Sequence, residues 1–174
     1  VVCEEFKEHY INKPYGDVWH KMRTLAYTQH PYRWMTIGAS LQHIEEATLE
    51  DVKSFFFKHY TPLNATLVVA GNVQKDQVIT LAEKWFGPIP PGVKYQRNIA
   101  PEPKQSEARK LAVTAPVPLD AFYKCWHICS RTDDRYYAAD LITDILGGGA
   151  SSRLFQSLVK EKQLFSNIDC YHFG

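Results

Sequence analysis

Apolar positions recur along this chain with two periods, and the two alternate. Tyr15, Val18, Trp19, Met22, Leu25 and Ala26 fall three and four residues apart, the stripe of a helix laid on a core. Thr48-Leu-Glu-Asp51 then supplies a helix start, with Thr48 as cap and acids in the first turn. The stripe of that helix is Leu49, Val52, Phe55, Phe56, His59 and Tyr60, and Pro62 stops it. Lys75 to Phe86 predicts a further amphipathic helix that buries Val78, Leu81, Ala82, Trp85 and Phe86, with Gly87 as its stop. Asp134 to Leu146 predicts another, with Ala138, Leu141, Ile142 and Ile145 inward. The run Gly147-Gly-Gly149 ends it, and Ser151 or Ser152 caps a last helix through about Lys162. Between these lie short apolar runs rich in β-branched and aromatic residues. Ala65 to Gly71, Ala108 to Thr114, Ala121 to Ser130 and Ile168 to Phe173 each read as a strand.

Strands interleaved with helix pairs, twice over, predict an α+β fold of duplicated α/β domains. Antiparallel sheets with helices packed on one face are expected, with only part of two domains present. From Pro88 to Glu107 the composition shifts, because Pro88, Pro90, Pro91, Pro101 and Pro103 stand among polar residues. The expected division is residues 1–88 for the latter part of a first domain, 89–107 for a proline-rich linker and 108–174 for the first part of a second. The chain opens on Val1, inside what reads as a helix, and closes inside an expected strand, so a piece of a longer protein is expected.

Bulk composition narrows the function classes. The 174 residues are 45% hydrophobic and 22% charged with a net charge of +1, a balance that invites neither nucleic acid nor an anionic membrane. No apolar run approaches the roughly 20 residues that span a bilayer. Four cysteines, Cys3, Cys125, Cys129 and Cys170, form no CxxC pair and read as buried thiols rather than a disulfide framework.

The first sixteen residues carry the candidate chemistry. Glu4, Glu5 and Glu8 precede His9 on an expected helix, and residues four apart share a face, so Glu5 and His9 point at one place. A carboxylate and an imidazole so placed can hold a metal ion. The plainer alternative is a solvated helix face with nothing bound. Asn12-Lys-Pro-Tyr-Gly16 then breaks the helix. Other motifs fall away. Gly147-Gly148-Gly149 lacks a phosphate-loop lysine and dinucleotide spacing, and no serine stands in a nucleophile elbow. His43-Ile-Glu-Glu46 resembles the start of a zinc motif, but Ala47 holds the place of its second histidine, which leaves a solvated helix. His30 and His59, set among aromatics, read as packing or loop residues.

Taken in order, several segments resemble the insulinase/pitrilysin family of inverted zincin metallopeptidases. They are Val1-Val-Cys-Glu-Glu-Phe-Lys-Glu8 with Asn12-Lys-Pro-Tyr-Gly16, His30-Pro-Tyr32, Ile37-Gly38, Ala47-Thr-Leu-Glu-Asp-Val52 and Asn64-Ala-Thr-Leu-Val-Val-Ala-Gly-Asn72. Leu146-Gly-Gly-Gly-Ala-Ser-Ser-Arg-Leu-Phe155 with Leu158-Val-Lys-Glu-Lys162 continues the series. The likeness is closer to bacterial members and to mitochondrial processing peptidase.

That resemblance implies zinc held by two histidines of an H-x-x-E-H helix and by a downstream glutamate, with the motif glutamate as general base. Aligning the family's Asn-x-Pro-Tyr-Gly segment on Asn12 to Gly16 puts the downstream ligand at Glu5, with Glu4 ranked second. The H-x-x-E-H helix itself is not in this sequence. Where some relatives place an arginine and a tyrosine that reach the substrate carbonyl, this chain has Val159 and Ser166. The resemblance therefore implies a fragment of a zinc endopeptidase, inactive by itself, with a peptide or protein substrate and a second homologous half or subunit as partners. The alternative is a non-catalytic partner or scaffold subunit of the same fold. Self-association is expected from open strand edges. A bacterial cell envelope or periplasm is favoured over cytoplasm or mitochondrion.

Overall fold

Helices appear where the three- and four-residue periods put them. The computed structural model describes residues 1–173. Its α-helices are α1 (Val2–Phe6), α2 (Val18–Ala26), α3 (Leu41–Glu45), α4 (Leu49–His59), α5 (Lys75–Phe86) and α6 (Tyr136–Gly147). Two π-helical stretches accompany them, Lys7–Ile11 directly after α1 and Phe155–Glu161 after the glycine run.

The ends of these helices have local causes. At α4 the Thr48 hydroxyl accepts from the Asp51 N–H at 3.2 Å and the Asp51 carboxylate accepts from the Thr48 N–H at 2.9 Å, a reciprocal box at the Thr48 cap marked in the sequence. At α3 the Ser40 hydroxyl accepts from the His43 N–H at 3.4 Å. Gly147, at the end of α6, is buried, and a Cβ there would lie 2.4 Å from both Cβ and N of Cys170. Only a glycine lets the segment around Cys170 cross the helix so closely.

The expected sheets are not formed. Among the described residues no strand ladder exists, and the one β-bridge is an isolated antiparallel pair, Met35 with Gly38. The four segments read as strands run without ladder partners, and their apolar side chains stand in solvent, Val68 at 82%, Phe122 at 75% and Trp126 at 69% exposure. Strand propensity measures fit to a pleated, half-buried surface that neighbouring strands must supply. An apolar run records the demand for such a surface and not its presence. The α+β expectation is corrected accordingly, to helices joined by extended segments.

The same finding corrects the predicted core. The α4 stripe of Leu49, Val52, Phe55 and Phe56 is exposed, as are Leu81, Trp85 and Phe86 of α5 and Leu141, Ile142 and Ile145 of α6. Cys125 is exposed rather than buried, and all four cysteines are free. Phe6 is the buried hydrophobic residue among those described. The accessible surface is 14,781 Å², against roughly 8,700 Å² for a folded monomer of this mass.

By contacts the chain forms two units, Val1–Tyr123 and Lys124–Gly174. The first holds the proline-rich segment 89–107, which is tied down along its length. The Leu63 N–H donates to the Pro91 carbonyl at 3.1 Å, Asn64 bonds both Val93 and Tyr95, and Arg109 donates to the Leu25 carbonyl at 2.7 Å. In the second unit the His172 Nδ1 lies 3.6 Å from Asp140 of α6, and its ring meets Tyr136 edge-on at 4.6 Å.

Candidate metal centre

Phe6 sets the orientation of the opening helix. Its ring, 6% exposed, meets Tyr10 at 5.3 Å and His20 of α2 at 5.4 Å, while His20 and Tyr10 meet edge to face at 4.6 Å. Ring pairs in these geometries contribute about 0.5–1.5 kcal/mol beyond their burial. His20 Nε2 lies 3.4 Å from the Gly38 carbonyl, and its Nδ1 is buried without a partner. With α1 pinned by this cluster and packed on α3, its other side faces water. Glu4, Glu5, Glu8 and His9 are all exposed there.

After Phe6 the backbone widens to i→i+5 bonding, closed by the Asn12 N–H on the Lys7 carbonyl at 2.8 Å. Single π turns inside helices are frequent at functional sites. The chain then folds back over its own end through Asn12 to Gly16. A Cβ on Gly16 would sit 2.6 Å from the His9 carbonyl, so glycine is required by the close return. Tyr15 takes a positive φ of 60°. Its hydroxyl donates to the Leu119 carbonyl at 2.6 Å and accepts from the Leu119 N–H at 3.2 Å. The break read in the sequence is thus a fastened turn.

The two candidate carboxylates are not equivalent. Glu4 forms an ion pair with Lys7 at 2.9 Å. Hydrogen bonding and then charge attraction from Lys7 hold its carboxyl below the usual range and raise the Lys7 ammonium. Among the described residues no hydrogen bond or ion pair takes up the Glu5 carboxylate. The His9 ring meets the Tyr10 ring edge-on at 6.4 Å. The structure therefore places Glu5 and His9 on one exposed helical stretch, and it leaves Glu5 as the unengaged carboxylate of the pair Glu4–Glu5.

A zinc shell is not completed by these residues. Among those described, no three histidine, cysteine, aspartate or glutamate side chains gather closely enough to hold a metal ion. Val159 lies in the second π-helical stretch and Ser166 in the irregular segment after it, neither offering a charged or phenolic group. No helix among those described is long and apolar enough to cross a membrane.

Comparison with known proteins gives the family. The model described as the peptidase M16 inactive domain matches residues 46–174. The zinc protease PqqE of Helicobacter pylori is 32% identical over 176 residues, which cover 95% of this chain and 38% of that protein. The uncharacterized zinc protease YmxG of Bacillus subtilis is 28% identical over 99% of this chain and 41% of its own length. A crystal structure of a protease from Helicobacter pylori superimposes with a TM-score of 0.71 at 29% identity, over 95% of this chain and 41% of that one. The chain thus spans about two fifths of the relatives it matches. On the family match over most of its length, the chain belongs to the insulinase, or M16, family of metallopeptidases.

Proposed function

We propose that these residues form part of a zinc-dependent endopeptidase in which Glu5 is one zinc ligand. The two histidines and the general base come from polypeptide other than these 174 residues, which contain no H-x-x-E-H. One observation carries the assignment. Glu5 is an unengaged carboxylate on a helix anchored by Phe6, whereas its neighbour Glu4 is neutralised by Lys7. A structural helix face tends to pair its acids with nearby cations, and a ligand must keep its lone pairs available. Bound zinc would supply an acidified water and polarise the scissile carbonyl. This chain's own part is to hold one carboxylate in place through the Phe6–Tyr10–His20 cluster and the fastened turn at Tyr15 and Gly16. The names of the relatives support zinc protease chemistry for the whole protein.

A peptide or protein substrate and a second homologous half or subunit belong to the same proposal, as does a bacterial envelope or periplasmic setting. The exposed surface supports further polypeptide as a partner. The chain shows about 6,000 Å² more than a completed monomer of its mass, and obligate interfaces bury roughly 2,000–5,000 Å².

The test is made in the longer zinc-loaded protein. Glu5→Gln should release zinc at limiting metal and abolish turnover with an unchanged circular dichroism spectrum, while Glu4→Gln keeps both. Equal zinc content and turnover in Glu5→Gln would overturn the assignment. A second reading, a non-catalytic partner or scaffold, is favoured by the description of the matching domain as inactive. It is distinguished by the same protein: peptide hydrolysis at no zinc concentration, with Glu5 intact, selects the scaffold. The 174 residues alone should hydrolyse no peptide with or without added zinc.

A further inference from the structure

The loop after α2 presents three consecutive backbone N–H groups, from Thr28, Gln29 and His30, to a single carboxylate far away in sequence. That carboxylate is Glu102. Its Oε1 accepts from the Thr28 N–H and the Thr28 hydroxyl, both at 2.7 Å, and its Oε2 from Gln29 N–H at 2.9 Å and His30 N–H at 2.8 Å. Burial pushes the Glu102 carboxyl upward, yet the bonds from His30, Thr28 and Gln29 outweigh it and bring the group down to about 2. The loop is itself braced. Arg33 donates to the Thr28 carbonyl at 3.2 Å, Arg23 to the Tyr32 carbonyl at 3.3 Å, and the His30 ring nitrogen accepts from the Tyr32 N–H at 3.1 Å. Runs of backbone N–H groups aimed at one point form nests that select anions, and such nests capture peptide carboxylates.

We infer that residues 28–30 are a carboxylate receptor that Glu102 occupies from within the chain, latching the strap 89–107, and that accepts a foreign carboxylate when Glu102 is withdrawn. The strap is held at its other end by Leu63 and Asn64, and Gly92, at φ +74°, lies so close to Thr61 that no side chain fits there. Glu102 is therefore the fastening between the middle of the strap and the loop. All four donors are supplied by Thr28, Gln29 and His30. The occupant contributes only its two oxygens, so the receptor recognises a carboxylate as such, whether from an acidic side chain or from a peptide C-terminus. Neither metal nor turnover enters, so the receptor stands or falls apart from the Glu5 assignment.

The test uses amide resonances of Thr28, Gln29 and His30 in the 174-residue chain. Glu102→Ala should move all three and speed their hydrogen exchange about tenfold or more, the scale of a charge-assisted hydrogen bond. Sodium acetate should then restore them saturably while sodium chloride at equal ionic strength does not. A dipeptide with a free C-terminus should restore them as well, and its amidated twin should not. Restoration by acetate but not by the dipeptide confines the receptor to side-chain carboxylates. Resonances that do not move in Glu102→Ala, or that move and are restored by neither carboxylate, overturn the inference. Should Glu102→Ala unfold the chain, Thr28→Val removes only the hydroxyl. The Glu102 carboxyl must then titrate higher than it does in the parent, and an unchanged titration rejects the receptor.

Discussion

Replacing Phe6 by alanine tests whether one ring holds the candidate ligand helix. Phe6 is 6% exposed and touches Tyr10 and His20, whose own side chains are half-buried. Removing a fully buried phenylalanine costs about 3–5 kcal/mol. Here the hole would open toward half-buried neighbours and admit water, which places the expected loss at the lower end, about 3 kcal/mol. That corresponds to roughly a hundredfold in the opening equilibrium of the helix. The assay is native-state hydrogen exchange, followed at the amide of Glu5, bonded to the Val1 carbonyl at 3.0 Å, and of Asn12, bonded to Lys7. Amides of α5 serve as the internal reference. Phe6→Leu keeps most of the volume and should cost about 1 kcal/mol, giving a smaller acceleration at the same amides. If Phe6→Ala left the Glu5 and Asn12 amides exchanging at the parent rate, the ring would not be what holds the helix. The positional argument for Glu5 would fall with it.

Three further outcomes follow from the geometry. The Glu102 latch should depend on acid: its carboxyl lies at about 2, below its ordinary 4.5, so its contribution is complete above 4.5 and is lost as pH falls from 4.5 through 2. Protection of the Thr28, Gln29 and His30 amides should decline across that window, with His30 and Arg33 the basic side chains on the same loop, and protection that persists below it refutes the latch. Gly147→Ala puts a Cβ 2.4 Å from Cys170, an overpacking worth about 1–3 kcal/mol, and should speed alkylation of the Cys170 thiol. Thr48→Ala removes the cap hydroxyl of α4 and should cost that helix about 1 kcal/mol, read as lost helicity by circular dichroism in a peptide spanning residues 46–62.

How far the sequence spoke depended on how far apart the interacting residues lie. The box joins Thr48 and Asp51, three residues apart, and it formed as the residue types require. Helix α5 occupies Lys75–Phe86, the stretch its period marked. Strands failed for the opposite reason. Ala65 to Gly71 is apolar enough for a sheet, but a ladder needs a second segment at the right register, and no local residue announces one. The buried stripes failed likewise, since a stripe on α4 states which face is apolar and says nothing of what covers it. Glu102 was unreadable too. It stands 72 to 74 residues from its donors, and a lone glutamate between Pro101 and Pro103 carries no sign of a partner.

The division between Glu4 and Glu5, by contrast, was present in the sequence and needed only helix geometry to read. Both acids align near the family's ligand position, and alignment alone ranked one above the other. Lys7 follows Glu4 by three residues and Glu5 by two. On a helix, neighbours three apart share a face and neighbours two apart do not. Lys7 must therefore claim Glu4, as its 2.9 Å ion pair does, and the free carboxylate must be Glu5. The i+4 partner of Glu5 is His9, an imidazole rather than an ammonium, so no lysine or arginine competes for that carboxylate along its own face of the helix. Moving the cation should move the choice. In Lys7→Ala combined with Val2→Lys, the new ammonium stands three residues from Glu5 and two from Glu4, so it shares a face with Glu5 and should bind it. Zinc affinity of the longer protein should then fall although both glutamates remain, and an unchanged affinity would mean that pairing with lysine does not decide which carboxylate is available to the metal.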